Sequence, residues 1–349
     1  MIRIKNIYYM LSYAFQILNE QGYKQVATEE FENVAELCSA ILIKGISSQI
    51  KRGLGKEYVL HTESLSTICG KIDISASIKE QSMLRKKIVC NFDEFSINAY
   101  MNRIIRTTMD VLIKSDISKG RKKQLRKLLI YFLEVEPLNC ESINWKLQFN
   151  RNNQTYQMLI SICYLILKGL LQTNTDGSTK LMDFLDEQRM YRLYEKFILE
   201  YYKKEHKELE VSASQIPWNT DDGYIEMLPV MQSDIILKKG KQTLIIDAKY
   251  YSHTTQKHYD VNTLHSGNLY QIFTYVKNLD THNTGDVSGM LLYAKTDEIV
   301  LPNHTYSMSG NVISVKTLDL DCEFLDIKKQ LDDISFSYFG TEDNYIFIV

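Results

Sequence analysis

Proline and glycine are scarce in this chain, four and fifteen among 349 residues. So little of either excludes a collagen-like chain or one dominated by disordered linkers. Six cysteines are present, Cys38, Cys69, Cys90, Cys140, Cys163 and Cys322, but none forms a C-x-x-C pair or a zinc-finger spacing. A structural zinc site and a dithiol redox motif are therefore both missing. With no signal-peptide pattern either, the cysteines read as reduced, buried thiols of a cytoplasmic protein. Long hydrophobic runs are absent too. The longest, Met158 to Leu171, is broken by Lys168 and is too short to cross a bilayer, so it reads as a buried core helix. Nor is there a surplus of positive charge: 41 Lys and Arg against 43 Asp and Glu leave a net charge of −2. A protein that grips nucleic acid unaided usually carries a basic surplus or a basic face. Finally, no G-x-x-x-x-G-K-[ST] phosphate loop occurs, so the chain is not expected to hydrolyse a nucleoside triphosphate itself.

What remains is an ordinary globular composition, 44% apolar and 24% charged, at a length that suits two domains. Ile2 to Ile4 reads as a short strand. A helix follows, capped at Asn6, with Ile7, Met10, Leu11, Ala14 and Phe15 at helical spacing. A second helix is predicted over Phe31 to Gln49, then a basic turn and strand over Lys51 to Ser64. Strands and turns follow over Cys69 to Ser96, and a mostly helical stretch over Ile97 to Leu133. Basic clusters at Arg85, Lys86 and Lys87 and at Lys119 to Lys127 are by themselves no more than solvated faces. Residues 172 to 180 are polar and read as a connecting loop. Beyond them, strands are predicted near Glu208 to Ser214, Tyr224 to Leu228, Gly289 to Ala294, Val300 and Val312 to Val315, with a last helix over Cys322 to Ile334. Strands alternating with helices predict a mixed α/β sheet covered on both faces.

The richest stretch is Met231 to Tyr251, MQSDIILKKGKQTLIIDAKYY, which reads as two apolar strands around Lys-Lys-Gly-Lys. With a turn centred on Lys239 and Gly240, Asp234 pairs with Ile245, and Asp247 and Lys249 share its face. The two carboxylates are then diagonal neighbours about 7 Å apart, close enough to hold one divalent cation. Mg²⁺ favours such oxygens and bridges readily to phosphate, where it activates water and stabilises a leaving oxygen. A lysine beside it can orient the attacking water and offset charge growing on phosphorus. Upstream, Met190 to Tyr202 is helical, with Leu193, Phe197 and Ile198 on an apolar stripe and Glu195 off it. Downstream, Asn268 to Val276 is a helix with Gln271 and Tyr275 one turn apart. His253, His258 and His265 are irregularly spaced and fit no familiar metal site.

Asp234, twelve residues, then Asp247-Ala248-Lys249 resembles the signature of the PD-(D/E)xK nuclease superfamily, with Ser233 where a leading proline is common. Gln271 and Tyr275 resemble the Q-x-x-x-Y element of RecB-type nucleases. Three further blocks, IKNIYYMLSYAF at the start, Gly70 to Met109 with FDEFS, Asn98 and Asn102-Arg103, and the central hairpin, resemble McrC proteins in order along the chain. McrC is the nuclease subunit of the McrBC restriction system.

That resemblance implies an N-terminal α+β domain, residues 1–175, that engages an McrB-like AAA+ GTPase ring and stimulates its GTP hydrolysis. It also implies a C-terminal PD-(D/E)xK endonuclease domain, residues 176–349. The double-stranded DNA substrate, modified or site-specific, would be selected by the partner. Neither a membrane nor a small-molecule substrate is implied. Asp234 and Asp247 are expected to bind Mg²⁺ with the Ala248 carbonyl and Glu195. Lys249 orients water, and Gln271 and Tyr275 position the lysine, the metal waters or the DNA backbone. Arg52, Arg85, Lys86 and Lys87 are candidates for the charge that stimulates the GTPase. A stand-alone nuclease and a non-catalytic activator of the ring are the alternatives.

Overall fold

The computed structural model describes residues 2–15, 26, 29–150, 153–173, 179–181, 187–251, 255–258, 261–295 and 301–340. It divides into two compact units, Phe31–Phe184 and a second made of Met1–Glu30 with Leu185–Val349. The expected boundary after residue 175 thus has a counterpart at 184/185, but the first thirty residues belong with the C-terminal unit. Helix α1 (Ile4–Ala14) begins where a strand was expected, and its cap is Arg3, not Asn6. Asn6 instead lies inside the helix, buried, and donates its Nδ2 to the carbonyls of Leu320 and Cys322. Tyr13 on the same helix packs against Phe197, Tyr201 and Phe324. Those contacts hold α1 to the C-terminal unit.

In the unit Phe31–Phe184, α2 (Val34–Arg52) starts three residues later than predicted, because the Asn33 side chain accepts the Glu36 N–H as an N-cap. A three-stranded antiparallel sheet follows, with β1 (Glu57–Leu65) and β2 (Lys71–Ile72) on either side of β3 (Ile88–Ser96). Between β2 and β3 lies the short helix α3 (Ile74–Lys79). Helices α4 (Tyr100–Lys114), α5 (Lys119–Leu129) and α6 (Gln154–Tyr164) complete the unit. Apolar positions of this bundle, Leu37, Ile41, Ile104, Met109, Leu112, Leu125 and Ile162, are fully buried. Asn102 locks its loops: Nδ2 donates to the Gly55 and Ile97 carbonyls while Oδ1 accepts the Tyr156 hydroxyl. The predicted core run at Met158 continues beyond α6 as a π-helical turn, Leu165–Leu170. Where a connecting loop was expected, β4 (Leu171–Thr173) and β5 (Thr179–Leu181) pair antiparallel.

The other unit continues with α7 (Glu187–Glu205), β6 (Glu210–Ser212), β7 (Gln215–Ile216), β8 (Met231–Gln232), β9 (Ile235–Lys239) and β10 (Gln242–Lys249). The hairpin β11 (Thr255–His258) with β12 (Val261–Leu264) precedes α8 (Ser266–Leu279). The chain ends with β13 (Val287–Ala294), β14 (His304–Met308), β15 (Asn311–Leu318) and α9 (Phe324–Phe339). Six strands form one mixed sheet in the order β14-β15-β13-β10-β9-β6, with β10, β13 and β15 mutually parallel. One face buries Ile236, Ile245, Leu291, Ile313 and Val315 under Ile272 and Val276 of α8. The other meets α7 and α9: Ser314, which alternates away from Ile313, bonds Tyr338 of α9, and Tyr202 of α7 bonds the Leu331 carbonyl. The mixed α/β architecture with helices on both faces is thus the one expected.

Two local predictions are corrected. Tyr224 to Leu228 is an exposed turn, not a strand, with positive φ at Gly223 and Met227 interrupting any extended run. The last helix starts at Phe324 and runs past Ile334 to Phe339. His253 and Val300 lie outside the described residues. Among the described residues no helix is long and apolar enough to cross a membrane.

Candidate active site

The hairpin β9–β10 forms as predicted, but two residues out of register. Its pairs run Lys239 with Gln242 to Ile235 with Ile246, so the two-residue loop is Gly240-Lys241. Gly240 adopts φ +59°, which suits the first central position of a II′ hairpin turn. Continuing that register places Asp234 directly across from Asp247, not diagonal to it. A shift of two keeps every side chain on its face, so the carboxylates still meet.

Two strand ends fix the pair. Asp234 Oδ2 accepts the Ala248 N–H at 2.9 Å. At the preceding residue, the Ser233 N–H and hydroxyl both donate to the Ser214 carbonyl, at 3.2 and 2.9 Å. A proline there would lose the first of these bonds, which accounts for serine at that position. In an extended strand the N–H and C=O of one residue point the same way, so the Ala248 carbonyl also faces Asp234.

Asp247 and Lys249 are almost wholly buried, 1% and 5% exposed. Lys249 Nζ lies 2.8 Å from Asp247 Oδ2. The contact is a buried ion pair, and Asp247 also bonds the Asp234 carboxyl group. Lys249 Nζ also donates to Gln271 Oε1 at 3.3 Å. Gln271 Nε2 then donates to the Tyr275 hydroxyl at 2.8 Å, and that hydroxyl donates to the Gln232 carbonyl at 3.0 Å. A relay from α8 thus ties the lysine to the strand end two residues before Asp234.

Charge in the cluster is unbalanced. Burial is the main cause that lifts Asp234 to about 6, reinforced by the charge of Glu195. Burial likewise lifts Asp247 to about 7, opposed by Lys249 and reinforced by Asp234. Glu195 on α7 is raised by burial, although hydrogen bonds to Tyr191 and Asp234 pull the other way. For Lys249 burial acts to lower the pKa, and the Asp247 charge beside it outweighs this, so the amine stays protonated. One ammonium therefore faces three carboxylates, and a further cation beside them would bring their ionisation to lower pH.

The residues fit a hard divalent ion. The buried Asp247 carboxylate, balanced by a single ammonium, and the facing Asp234 supply two carboxylate donors, with the Ala248 carbonyl on the same side. Glu195 stands off from them, bonded to Tyr191 and Asp234. Among the described residues no three His, Cys, Asp or Glu side chains form a complete metal cage. Remaining ligands are left to water and phosphate, as Mg²⁺ prefers.

Three contributors were not foreseen in the sequence. Tyr191 bonds Glu195 one turn away, and its ring lies 5.9 Å from Lys249 Nζ. Its pKa is raised by burial first and then by the charges of Asp234 and Glu195. Asn268 is the second, donating to the Tyr293 hydroxyl at 2.9 Å behind the lysine. The Gln232 carbonyl is the third. Tyr191 was readable from its i, i+4 spacing to Glu195. The other two depend on tertiary packing. His265, one of the three irregularly spaced histidines, precedes α8 and packs against Tyr251.

A family model described as "McrBC 5-methylcytosine restriction system component" matches residues 4–294. A protein of Escherichia coli K12, the "Type IV methyl-directed restriction enzyme EcoKMcrBC", is 30% identical over 347 residues, 97% of this chain and 98% of that protein. Among solved structures, a half-complex of Thermococcus gammatolerans McrB AAA+ hexamers with bound McrC covers 95% of this chain and 76% of that chain, at 16% identity and a TM-score of 0.48. A second, of the McrBC complex from the same organism, covers 58% of each chain at 18% identity and a TM-score of 0.40.

Proposed function

Because the chain belongs to the McrBC 5-methylcytosine restriction system component family, we propose that it is a Mg²⁺-dependent DNA endonuclease subunit. In this reading it works with an AAA+ GTPase partner that selects the duplex, and it stimulates that partner's GTP hydrolysis. The observation that carries the catalytic part is the buried Asp247–Lys249 ion pair at 2.8 Å, with Asp234 fixed beside it on the Ala248 N–H.

The metal would be held by Asp234, Asp247 and the Ala248 carbonyl. When bound it supplies Lewis-acid polarisation of the phosphodiester and a more acidic water. The protein's own residues do the rest. Lys249, kept protonated by Asp247, donates to the attacking water and offsets charge on the phosphoryl oxygens. Gln271 and Tyr275 hold the amine in line through their relay to the Gln232 carbonyl. Glu195 takes part through Asp234, as a nearby acceptor for the proton that the attacking water gives up.

The partner surface is assigned to the unit Phe31–Phe184. Its β1–β3 hairpin leaves Tyr58, Leu60 and Phe95 exposed, and the turn before β3 exposes Ile78, Met83 and Leu84. Apolar side chains gathered this way support a protein interface. Arg52, Arg85, Lys86 and Lys87 are exposed close by in sequence, as a GTPase-stimulating charge requires.

The test is plasmid cleavage with Mg²⁺, with and without the AAA+ partner and GTP, for wild type and Asp247→Ala. Cutting by wild type alone among the two is expected, and only with partner and GTP. Equal cutting by Asp247→Ala would overturn the site. Neutralising all four basic residues should reduce partner-stimulated GTP hydrolysis, and an unchanged rate would remove them from that role.

A further inference from the structure

We propose that α5 is a second DNA-contacting surface, a helix face that lies along the phosphate backbone outside the catalytic cluster. The inference rests on the reading of the chain as a DNA nuclease subunit. Its sequence, KGRKKQLRKLL, holds six cations and no acid in eleven residues. Lys119, Lys122, Lys123, Arg126 and Lys127 recur at i, i+3, i+4, i+7 and i+8, so they share one face. Leu125 lies on the opposite side and is fully buried. Arg121, the sixth cation, also faces inward and pairs with Glu36 at 2.6 Å. The outward five have no such partner. Among the described residues none of them is in an ion pair, and four are exposed with Lys122 half-buried.

Such a face is costly for folding. A solvated helix ordinarily alternates Glu with Lys, whereas like charges one turn apart each cost about 0.2–0.5 kcal/mol. This helix holds several such pairs, Lys119 with Lys123 and Lys123 with Lys127 among them. The chain as a whole carries net charge −2, so the stripe is a local concentration and not a general excess. Duplex DNA is the occupant this charge pattern fits. Eleven residues of helix extend about 16 Å, and over that length of axis a duplex presents roughly nine phosphates on its two strands, enough to meet five cations. Exposed Tyr131 directly beyond the helix adds an aromatic edge at its end.

The experiment is fluorescence anisotropy of the full chain on a labelled duplex in EDTA, from about 50 to 200 mM salt. Two variants accompany wild type. One carries glutamine at positions 119, 122, 123, 126 and 127; the other carries arginine at the four lysines. Each phosphate contact contributes about 0.9 to the slope of log affinity against log salt, so the glutamine variant should lose about 4 from the slope. Its affinity near 0.1 M salt should fall at least about tenfold, while the arginine variant keeps wild-type slope and affinity. Circular dichroism establishes that the glutamine variant folds. A folded glutamine variant with an unchanged slope, or no salt-dependent binding by wild type, overturns the proposal. So does an unchanged slope accompanied by loss of the AAA+ partner, which would assign the stripe to a protein surface. Failure of the nuclease reading is separate, since it is read from cutting by Asp247→Ala and not from binding in EDTA.

Discussion

Lys249 is the residue whose position depends on the most neighbours. Asp247 keeps it charged, Gln271 aims it, and Tyr191 lies beside it. Lys249→Gln should lower the partner-dependent cleavage rate by about 10²–10³, the usual effect of removing one transition-state donor. Gln271→Ala acts only through the lysine and should cost about 10–100-fold, as loss of an orienting partner does. Initial rates of plasmid linearisation separate the two, and equal losses would contradict the relay. The carboxylates predict a pH effect of definite sign. Folded Asp234 and Asp247 titrate at about 6 and 7, against about 3.9 in an unfolded chain. Between these values the folded protein holds protons that the unfolded chain has released. The pair's contribution to stability is therefore present below about pH 4 and lost as pH rises through 6 to 7. Mg²⁺ should raise Tm at pH 8 and have little effect at pH 5.5, where the pair is largely protonated. Calorimetry showing the larger Mg²⁺ effect at pH 5.5 would refute this. The structure brings together Asp234, Asp247, Lys249, Gln271 and Tyr275, which sequence could group because strand alternation and helical spacing are local. Sequence could not select Asn268 or the Gln232 carbonyl, which enter the site through packing between elements.

At the scale of elements, the closeness of α8 to the sheet decides whether Gln271 reaches Lys249. Gly289 on β13 makes that closeness possible. A Cβ there would come within 2.8 Å of both Ile272 Cγ1 and Val276 Cγ2, and 3.0 Å of Ile313 Cδ1. All three neighbours are fully buried, so α8 would have to lift. Gly289→Val is expected to cost about 1–3 kcal/mol by overpacking. It should also slow cleavage beyond the loss of folded protein, because Gln271 moves with the helix. Urea denaturation with rates normalised to folded protein tests this; a destabilised variant with normal specific activity would contradict it. The hairpin illustrates what sequence reading left open. The sequence reading centred the turn on Lys239-Gly240, whereas the loop is Gly240-Lys241. Only the left-handed φ of Gly240 at the first loop position fixes the pairing of Asp234 with Asp247. The Tyr224 to Leu228 expectation failed for a related reason, since β-favouring residues there are interrupted by positive-φ positions.

For the whole molecule, the division of the chain differs from a simple N-terminal and C-terminal split. α1 is joined to the C-terminal unit through Asn6, Tyr13 and Tyr9, whose ring stacks on Phe324 at 4.3 Å. No local pattern in α1 announces that partner, because an amphipathic helix does not name the surface it covers. A fragment of residues 185–349 alone should leave Phe197, Tyr201 and Phe324 uncovered and be poorly soluble. Supplying residues 1–30 on the same chain through a short linker should restore a cooperative thermal transition. An equally cooperative transition in the shorter fragment would contradict this assignment. The central claim, that Asp247 and its neighbours cut DNA within a GTPase-driven complex, is tested most directly by one measurement. Methylated and unmethylated plasmid are incubated with Mg²⁺, GTP and the AAA+ partner, using wild type and Asp247→Ala in parallel. The account predicts cutting by wild type and none by Asp247→Ala, with GTP hydrolysis retained in both. Cutting by Asp247→Ala at the wild-type rate would contradict it.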